Sequence, residues 1–328
     1  MRRLLWLAVV VVGMTLLTFV VTHLIPADPV KAAAGLDATA DQIEKLRTDL
    51  GLDRPLPEQY LIYLGSLARG DLGSSIVTRR PVVADLREYF PATLELTLWT
   101  LLVIVLVGVP LGIVSATRRG GVIDLLTRLF ATLWVAIPVF WFALLLQLLF
   151  YLQLGWLPAG DRIGAEHTVT RITGFMTLDT LAAGDLSALG SVLQHLVLPV
   201  LTLALGRLAI IMRMTRASML EVLGSDYIRT ARAKGLRDRA VIYRHALKNA
   251  GLPIITTLGT QVGFLLGGAV LVEAIFQWPG VGRYAVSSIT SVDFPAIMGV
   301  TLLAAVVFVL VNLLVDLSYA VIDPRITY

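Results

Sequence analysis

The chain has no cysteine in its 328 residues, which excludes disulfides, iron–sulfur clusters and thiolate catalysis. Charge is scarce too: Asp, Glu, Lys and Arg make up 15%, where a soluble domain carries about a quarter. The four histidines, His23, His167, His195 and His245, are scattered without metal-ligand spacing, so no metal site is expected. No G-x-x-x-x-G-K-[ST] loop, no H-E-x-x-H and no G-x-S-x-G occurs. The chain therefore has no P-loop with which to hydrolyse ATP and no recognisable catalytic constellation. It is read as a non-enzyme that carries no cofactor.

What remains is apolar. Hydrophobic residues make up 57% and the mean hydropathy is +0.81, the composition of an integral membrane protein. The net charge of +4 needs no nucleic-acid partner, because cytoplasmic loops of membrane proteins are enriched in Lys and Arg. A bilayer core takes about 20 apolar residues per helix. Six segments qualify, roughly 4–25, 94–117, 129–154, 193–212, 252–275 and 297–322. The fourth is the weakest, since Pro199 and Arg207 interrupt it; Arg207 can snorkel toward the end that holds Arg213. The first is read as a retained span, because its apolar run outlasts a signal peptide's and "IPADP" follows as a helix stop.

Six spans put both termini on one side. One set of connectors holds Arg2 and Arg3, the turn with Arg118, Arg119 and Arg128, and the long segment 213–251. The other holds 26–93, 155–192 and 276–296, in which acids equal or outnumber bases. The basic set belongs in the cytoplasm, and with it both termini. Residues 26–93 are too long for a plain loop. They contain two amphipathic patterns, "TADQIEKLRTDLGL" and "LPEQYLIYLGSLARGDLGSS", and read as a small external helical subdomain. The five-helix core is 94–322, with an external insertion at 155–192 and a short tail at 323–328.

Glycines recur at Gly108 and Gly112 in the second span and at Gly259, Gly263 and Gly267 in the fifth. Small residues four apart let helix backbones approach in lipid, for static packing or as a seam for sliding. Ionisable and amide groups inside spans are costly and mark functional candidates. Here these are Glu95, Gln147, Arg207, Glu273, Asn312 and Asp316. Glu95, Glu273 and Asp316 lie close enough to span ends to touch headgroups or water, whereas Gln147 and Asn312 sit deeper, where they line a pathway or bond between helices.

The stretch "DYIRTARAKGLRDRAVIYRHALKNAG", residues 226–251, carries seven Arg or Lys against two acids. Tyr227, Ile228 and Ala231 fall at helical spacing, Gly235 breaks the run as a left-handed helix end does, and a second helix follows from Asp238. The pattern is a helix–Gly–helix elbow. Composition alone fits equally a basic amphipathic segment lying on anionic lipid.

From Arg213 onward, "RMTRASMLEVLGSDYIRTARAKGL" and "RHALKNAGLP" closely resemble the cytoplasmic loop of permease subunits of binding-protein-dependent ABC importers, in the form typical of dipeptide, oligopeptide and nickel permeases. Against that class's general pattern, E-A-A-x3-G-x9-I-x-L-P, Gly235 takes the glycine, Ala231 the second alanine and Leu247 the leucine. Arg229, Thr230, His245 and Lys248 depart from it. The likeness extends to "LIPADPV" at 24–30, to Gln59, Tyr60, Gly70, Asp71, Leu72, Gly73 and Ser75 of the external motif, to "VEAIFQWPGVGRYAVSSITSVDFPAIMG" at 272–299, and to the "DPRITY" tail.

The resemblance implies an all-α type I importer permease of the bacterial or archaeal cytoplasmic (inner) membrane, its first span packed outside a five-helix core. It also implies partners: a second, similar permease, two P-loop ATPases that bind ATP and Mg inside, and a solute-binding protein outside. The elbow would dock on an ATPase through Arg229, Thr230, Ala231 and Gly235, with Arg232 and Lys234 at the rim. A small solute, most often a di- or oligopeptide, would pass between the two permeases. The competing class is an ion-coupled secondary transporter or channel, whose embedded acids would couple to ions.

Overall fold

A computed structural model describes residues 12–21, 24, 39–49, 51 and 53–322. Among these residues the secondary structure is helical, apart from an isolated bridge between Ser74 and Pro81. The helices are α1 (Val12–Val21), α2 (Ala40–Asp49), α3 (Leu56–Ala68), α4 (Val82–Thr117), α5 (Val122–Ala136), α6 (Val139–Gln153), α7 (Met176–Ala182), α8 (Leu186–Leu223), α9 (Asp226–Ala233), α10 (Leu247–Ile275), α11 (Val281–Thr290) and α12 (Phe294–Ile322).

Among the described residues three helices are long and apolar enough to cross a membrane unaided, α4, α8 and the Phe294–Val315 part of α12; two bent pairs raise the number to as many as five. The first expected span, 4–25, lies partly outside the described residues, which retain α1. The 323–328 tail lies outside them as well.

The third expected span is not one helix, which corrects the 129–154 reading. The chain turns by 102° between α5 and α6. Pro138 is the cause: a proline drives the residue before it out of helical geometry, and Ile137 sits at φ −83°, ψ 124°. α4 keeps its course through a second proline differently. Pro110 has no N–H to give and crowds the carbonyl four residues back, and the helix widens to π geometry over Ile104–Gly108.

The chain divides into two compact units, Leu94–Trp278 with Leu310–Tyr328, and Met1–Thr93 with Pro279–Val309. In the first, α8 is the axis, 38 residues long and capped by Asp185, whose carboxylate accepts the Ala188 N–H at 2.9 Å. It packs against the latter part of α4 and against α5, α6, α7 and α10. The approach to α4 is close at the glycines. A Cβ on Gly108 would lie 3.3 Å from Ile211, and one on Gly112 would lie 2.6 Å from Thr215 and 2.8 Å from the Met212 carbonyl oxygen. Gly259 of α10 meets Val315 of α12 so closely that a Cβ there would stand 2.1 Å from a methyl. Gly267 is exposed, with nothing within 4 Å of such an atom, so the glycine pattern of α10 is a packing seam at one end only.

In the other unit, Tyr60 of α3 bonds Thr15 of α1 at 3.1 Å, and Phe19 packs against Tyr60 and Tyr63. The turn after α3 runs to the start of α12. Ser75 donates to Asp293 at 2.5 Å, and Asp293 also accepts the Val77 and Ala296 N–H groups, each at 3.2 Å. Next to it Asp85 accepts from Thr78 at 2.6 Å and from the Tyr284 phenol at 3.1 Å. Burial between these groups pushes Tyr284 well above the ordinary phenol range. The two motifs read separately in the sequence, 56–75 and 272–299, thus meet in one polar knot.

Candidate coupling elbow

The elbow grows from the end of α8. Gly224 closes that helix, and Ser225, in extended geometry, starts α9. Two residues of α9 face inward. Ile228 is 0% and Ala231 7% exposed, in a cluster with Ile113 and Ala116 of α4, Met219 of α8, and Ala250 and Ile254 of α10. The opposite face is bare: Tyr227, Arg229, Thr230, Arg232 and Lys234 are all exposed. An eight-residue helix is too short to hold itself in water, so its rigidity comes from this apolar seat.

The end of α9 is set by Gly235, at φ +75°. Its N–H reaches the Arg232 carbonyl at 2.9 Å and the Leu236 N–H reaches back to Ala231 at 3.4 Å, closing the helix in the left-handed manner that glycine favours. The chain restarts at Asp238–Ala240 and passes through a π-helical stretch, Val241–Ala246, directly into α10. The elbow's second arm is therefore the beginning of a membrane helix rather than a separate short one. Val241 and Ala246, fully buried, seat that arm in the same cluster. Exposed ion pairs, Arg229 to Asp226 at 3.4 Å and Arg232 to Asp238 at 3.8 Å, contribute little in water.

Of the six elbow residues singled out in the sequence, Arg229, Thr230, Arg232 and Lys234 are on the bare face and Gly235 at its hinge. Ala231 is different: it points into the seat, where a larger side chain would lift α9 off.

Of the embedded polar groups, Gln147, Arg207 and Glu95 are engaged inside the protein. Gln147 donates to the carbonyls of Ala159 at 2.7 Å and Ile275 at 3.3 Å. Arg207 reaches Gln261 at 3.2 Å and lies over the Phe264 ring. Glu273 is 0% and Glu95 1% exposed, which corrects the expectation that they touch headgroups or water. Glu95 pairs with Arg162 and accepts both the N–H and hydroxyl of Thr177, at 2.8 and 2.7 Å. Arg162 also stacks on Trp278 and bonds the Gly174 carbonyl at 2.9 Å. These bonds fold the 155–192 insertion, which shows no pattern in sequence because its order comes from single polar residues. Asn312 is exposed on α12. The side chain of Asp316 lies outside the described residues.

A chain of the MetNI methionine ABC transporter, in an inward-facing form, superposes with a TM-score of 0.51 at 15% identity, covering 71% of this chain and 93% of that one; the likeness is one of fold. The dipeptide transport system permease protein DppB of Alkalihalophilus pseudofirmus is 46% identical over 328 residues, 100% of this chain and 98% of its own. The probable D,D-dipeptide transport system permease protein DdpB of Escherichia coli is 47% identical over 99% of this chain and 96% of its own. The glutathione transport system permease protein GsiC of Pectobacterium atrosepticum is 40% identical over 100% and 98%. Residues 1–97 match the family's N-terminal part and residues 108–328 its main part. A membrane protein with this helical fold and these two matches belongs to the family of binding-protein-dependent transport system inner membrane components.

Proposed function

We propose that the chain is the permease subunit of an ATP-driven importer of small peptides, and that α9 is the part that feels the ATPase. The observation that carries this is the two-sidedness of α9. Its inner face is locked by Ile228 and Ala231 to three membrane helices, and its outer face offers Arg229, Thr230, Arg232 and Lys234 to a partner. A helix held this way transmits a push as a lever, which a floppy loop cannot do. Basic side chains suit an acidic or polar cleft on a P-loop ATPase, which would bind the ATP and Mg that this chain has no loop to hold.

The basic connectors then face the cytoplasm, with both termini on that side and six spans in all. A second, similar permease completes the path, and a solute-binding protein delivers the solute from outside. Peptide is the substrate class because relatives at 40–47% identity carry dipeptide or glutathione in their names. Gln147, Glu273, Asn312 and Asp316 are the groups in the membrane part from which a polar path would draw.

The test is purification of the tagged full chain from native membranes in mild detergent. The expected result is a complex with one similar permease and P-loop ATPases, whose ATP hydrolysis rises on adding a peptide-loaded binding protein. A chain that purifies alone and moves solute in liposomes under an ion gradient without ATP would overturn the reading.

A further inference from the structure

A cavity of about 250 Å³ lies between the end of α4, the middle of α5 and the last third of α8, and the coupling role of α9 makes no use of it. Arg128, Arg213 and Arg216 line it, together with Thr132 and an apolar wall of Ala131 and Met212. Three arginines, of which Arg128 and Arg213 are exposed, line one small space in a chain poor in charge.

The carboxylate nearest to them is spoken for. Asp124, 1% exposed, takes Arg216 through Nε at 2.6 Å and Nη2 at 3.0 Å, and also accepts the Ser115 hydroxyl at 2.7 Å and the Gly120 N–H at 3.0 Å. Thr127 closes the network by donating to Ser115 at 2.9 Å. Arg216 is thus fixed as a bidentate fork, and its remaining Nη1 donors stay available to the cavity that it lines. Arg128 reaches Asp124 only at 3.9 Å, too long for a hydrogen bond. Arg213, exposed, has no ion pair or hydrogen bond among the described residues. Three cations against one fully engaged carboxylate leave the cavity strongly positive, with donors to spare and no acceptor in want of a partner.

We propose that this cavity is a binding site for a phosphate group, presented by an anionic phospholipid headgroup or as free phosphate. The volume is below the roughly 300–1,000 Å³ of pockets for larger ligands, and matches a compact anion. The Arg216 fork and the two exposed guanidiniums of Arg128 and Arg213 supply the planar donor pairs that suit phosphate oxygens. Arg128 lies in the middle of α5, beside the stretch of α8 where the apolar run gives way to charge at Arg213 and Arg216, a transition that suits the level of lipid headgroups. Basic pockets between membrane helices at this level take anionic headgroups. Ala131 and Met212 would then lie along the glycerol backbone. The site is independent of the ATPase-coupling role of α9.

The test is native mass spectrometry of the detergent-purified full chain, titrated with phosphatidylglycerol and, for reference, with zwitterionic phosphatidylcholine. The variant Arg128→Gln/Arg213→Gln removes two cations and leaves the Asp124–Arg216 pair in place. Arg237→Gln/Arg239→Gln makes the same charge change at exposed positions of the elbow. At about 1 kcal/mol per arginine, the first variant should bind phosphatidylglycerol roughly 30-fold more weakly, and the second as the wild type does. Should the double variant misfold, Arg213→Gln alone reads the same effect at about fivefold. Displacement of the lipid by millimolar inorganic phosphate would make free phosphate the ligand, and its failure to displace would make the lipid the source. Equal binding of both lipids by wild type, or equal loss in the two variants, overturns the site.

Discussion

Gly235 allows the coupling reading to be tested by a ladder of substitutions. Its φ of +75° is a conformation that L side chains rarely adopt, yet a Cβ placed there meets nothing within 4 Å. Any cost of substitution is therefore conformational, not steric. For alanine that cost is about 1–2 kcal/mol, enough to change the ratio of seated to unseated elbow by about 5–30-fold. Asparagine tolerates the left-handed region and should cost less. Valine, β-branched, should cost more than alanine. Peptide uptake into proteoliposomes holding the complete transporter should accordingly fall in the order Asn, Ala, Val, while the amount of chain inserted stays constant. The order ignores size, since asparagine and valine are of similar bulk. Equal damage by Asn and Val would refute the argument and point to a partner surface that needs the missing side chain. Normal uptake by Gly235→Val would refute the coupling role itself.

Other expectations concern stability and fold. Gly112→Ala should destabilise the α4–α8 crossing by about 1–3 kcal/mol, because the Met212 carbonyl 2.8 Å from the new atom is backbone; Gly267→Ala should leave the detergent melting temperature unchanged, and equal melting of both would refute the seam. Glu95→Gln strands the buried Arg162 guanidinium and should cost about 3–5 kcal/mol, much of it recovered by adding Arg162→Met. Burial alone would raise the Asp179 carboxyl, but hydrogen bonds from Thr173, Ile172 and Gly174 hold it below the usual carboxylate range. Its stabilisation is then present above the unfolded value of about 3.9 and lost as pH falls through the lower folded one. Proteolysis of the 155–192 insertion should speed up on acidification, and Asp179→Asn should be fast at every pH.

The elements that were legible in the sequence are those written locally. Apolar runs locate the membrane helices, and the break after Lys234 locates the elbow hinge, because a glycine needed at positive φ leaves its mark at one position. The kink at Ile137–Pro138 was also written locally, but the uninterrupted apolar run around it masks the signal. The burial of Glu95 was not legible, since its partner Arg162 stands 67 positions away in a stretch without periodicity. Ala231 carries a motif position and a core position at once, and only the packing of α9 on Met219 and Ala250 separates the two roles.

The bond between Ser75 and Asp293 spans 218 positions. At roughly 5–20 residues per second of synthesis, the turn that carries Ser75 waits about 10–40 s for the aspartate that completes it. Through that interval Asp85 has Thr78, Arg80 and water, and the Ser75 hydroxyl has its own turn and water, because Tyr284 is not yet made either. The Ser75–Asp293 knot is therefore among the last features to form during biogenesis. A ribosome stalled before codon 284 would leave a nascent chain whose 70–85 turn is open to protease, and release past codon 296 would close it. Timing of that protection, followed on arrested chains of increasing length, would read out when the two distant motifs become one structure.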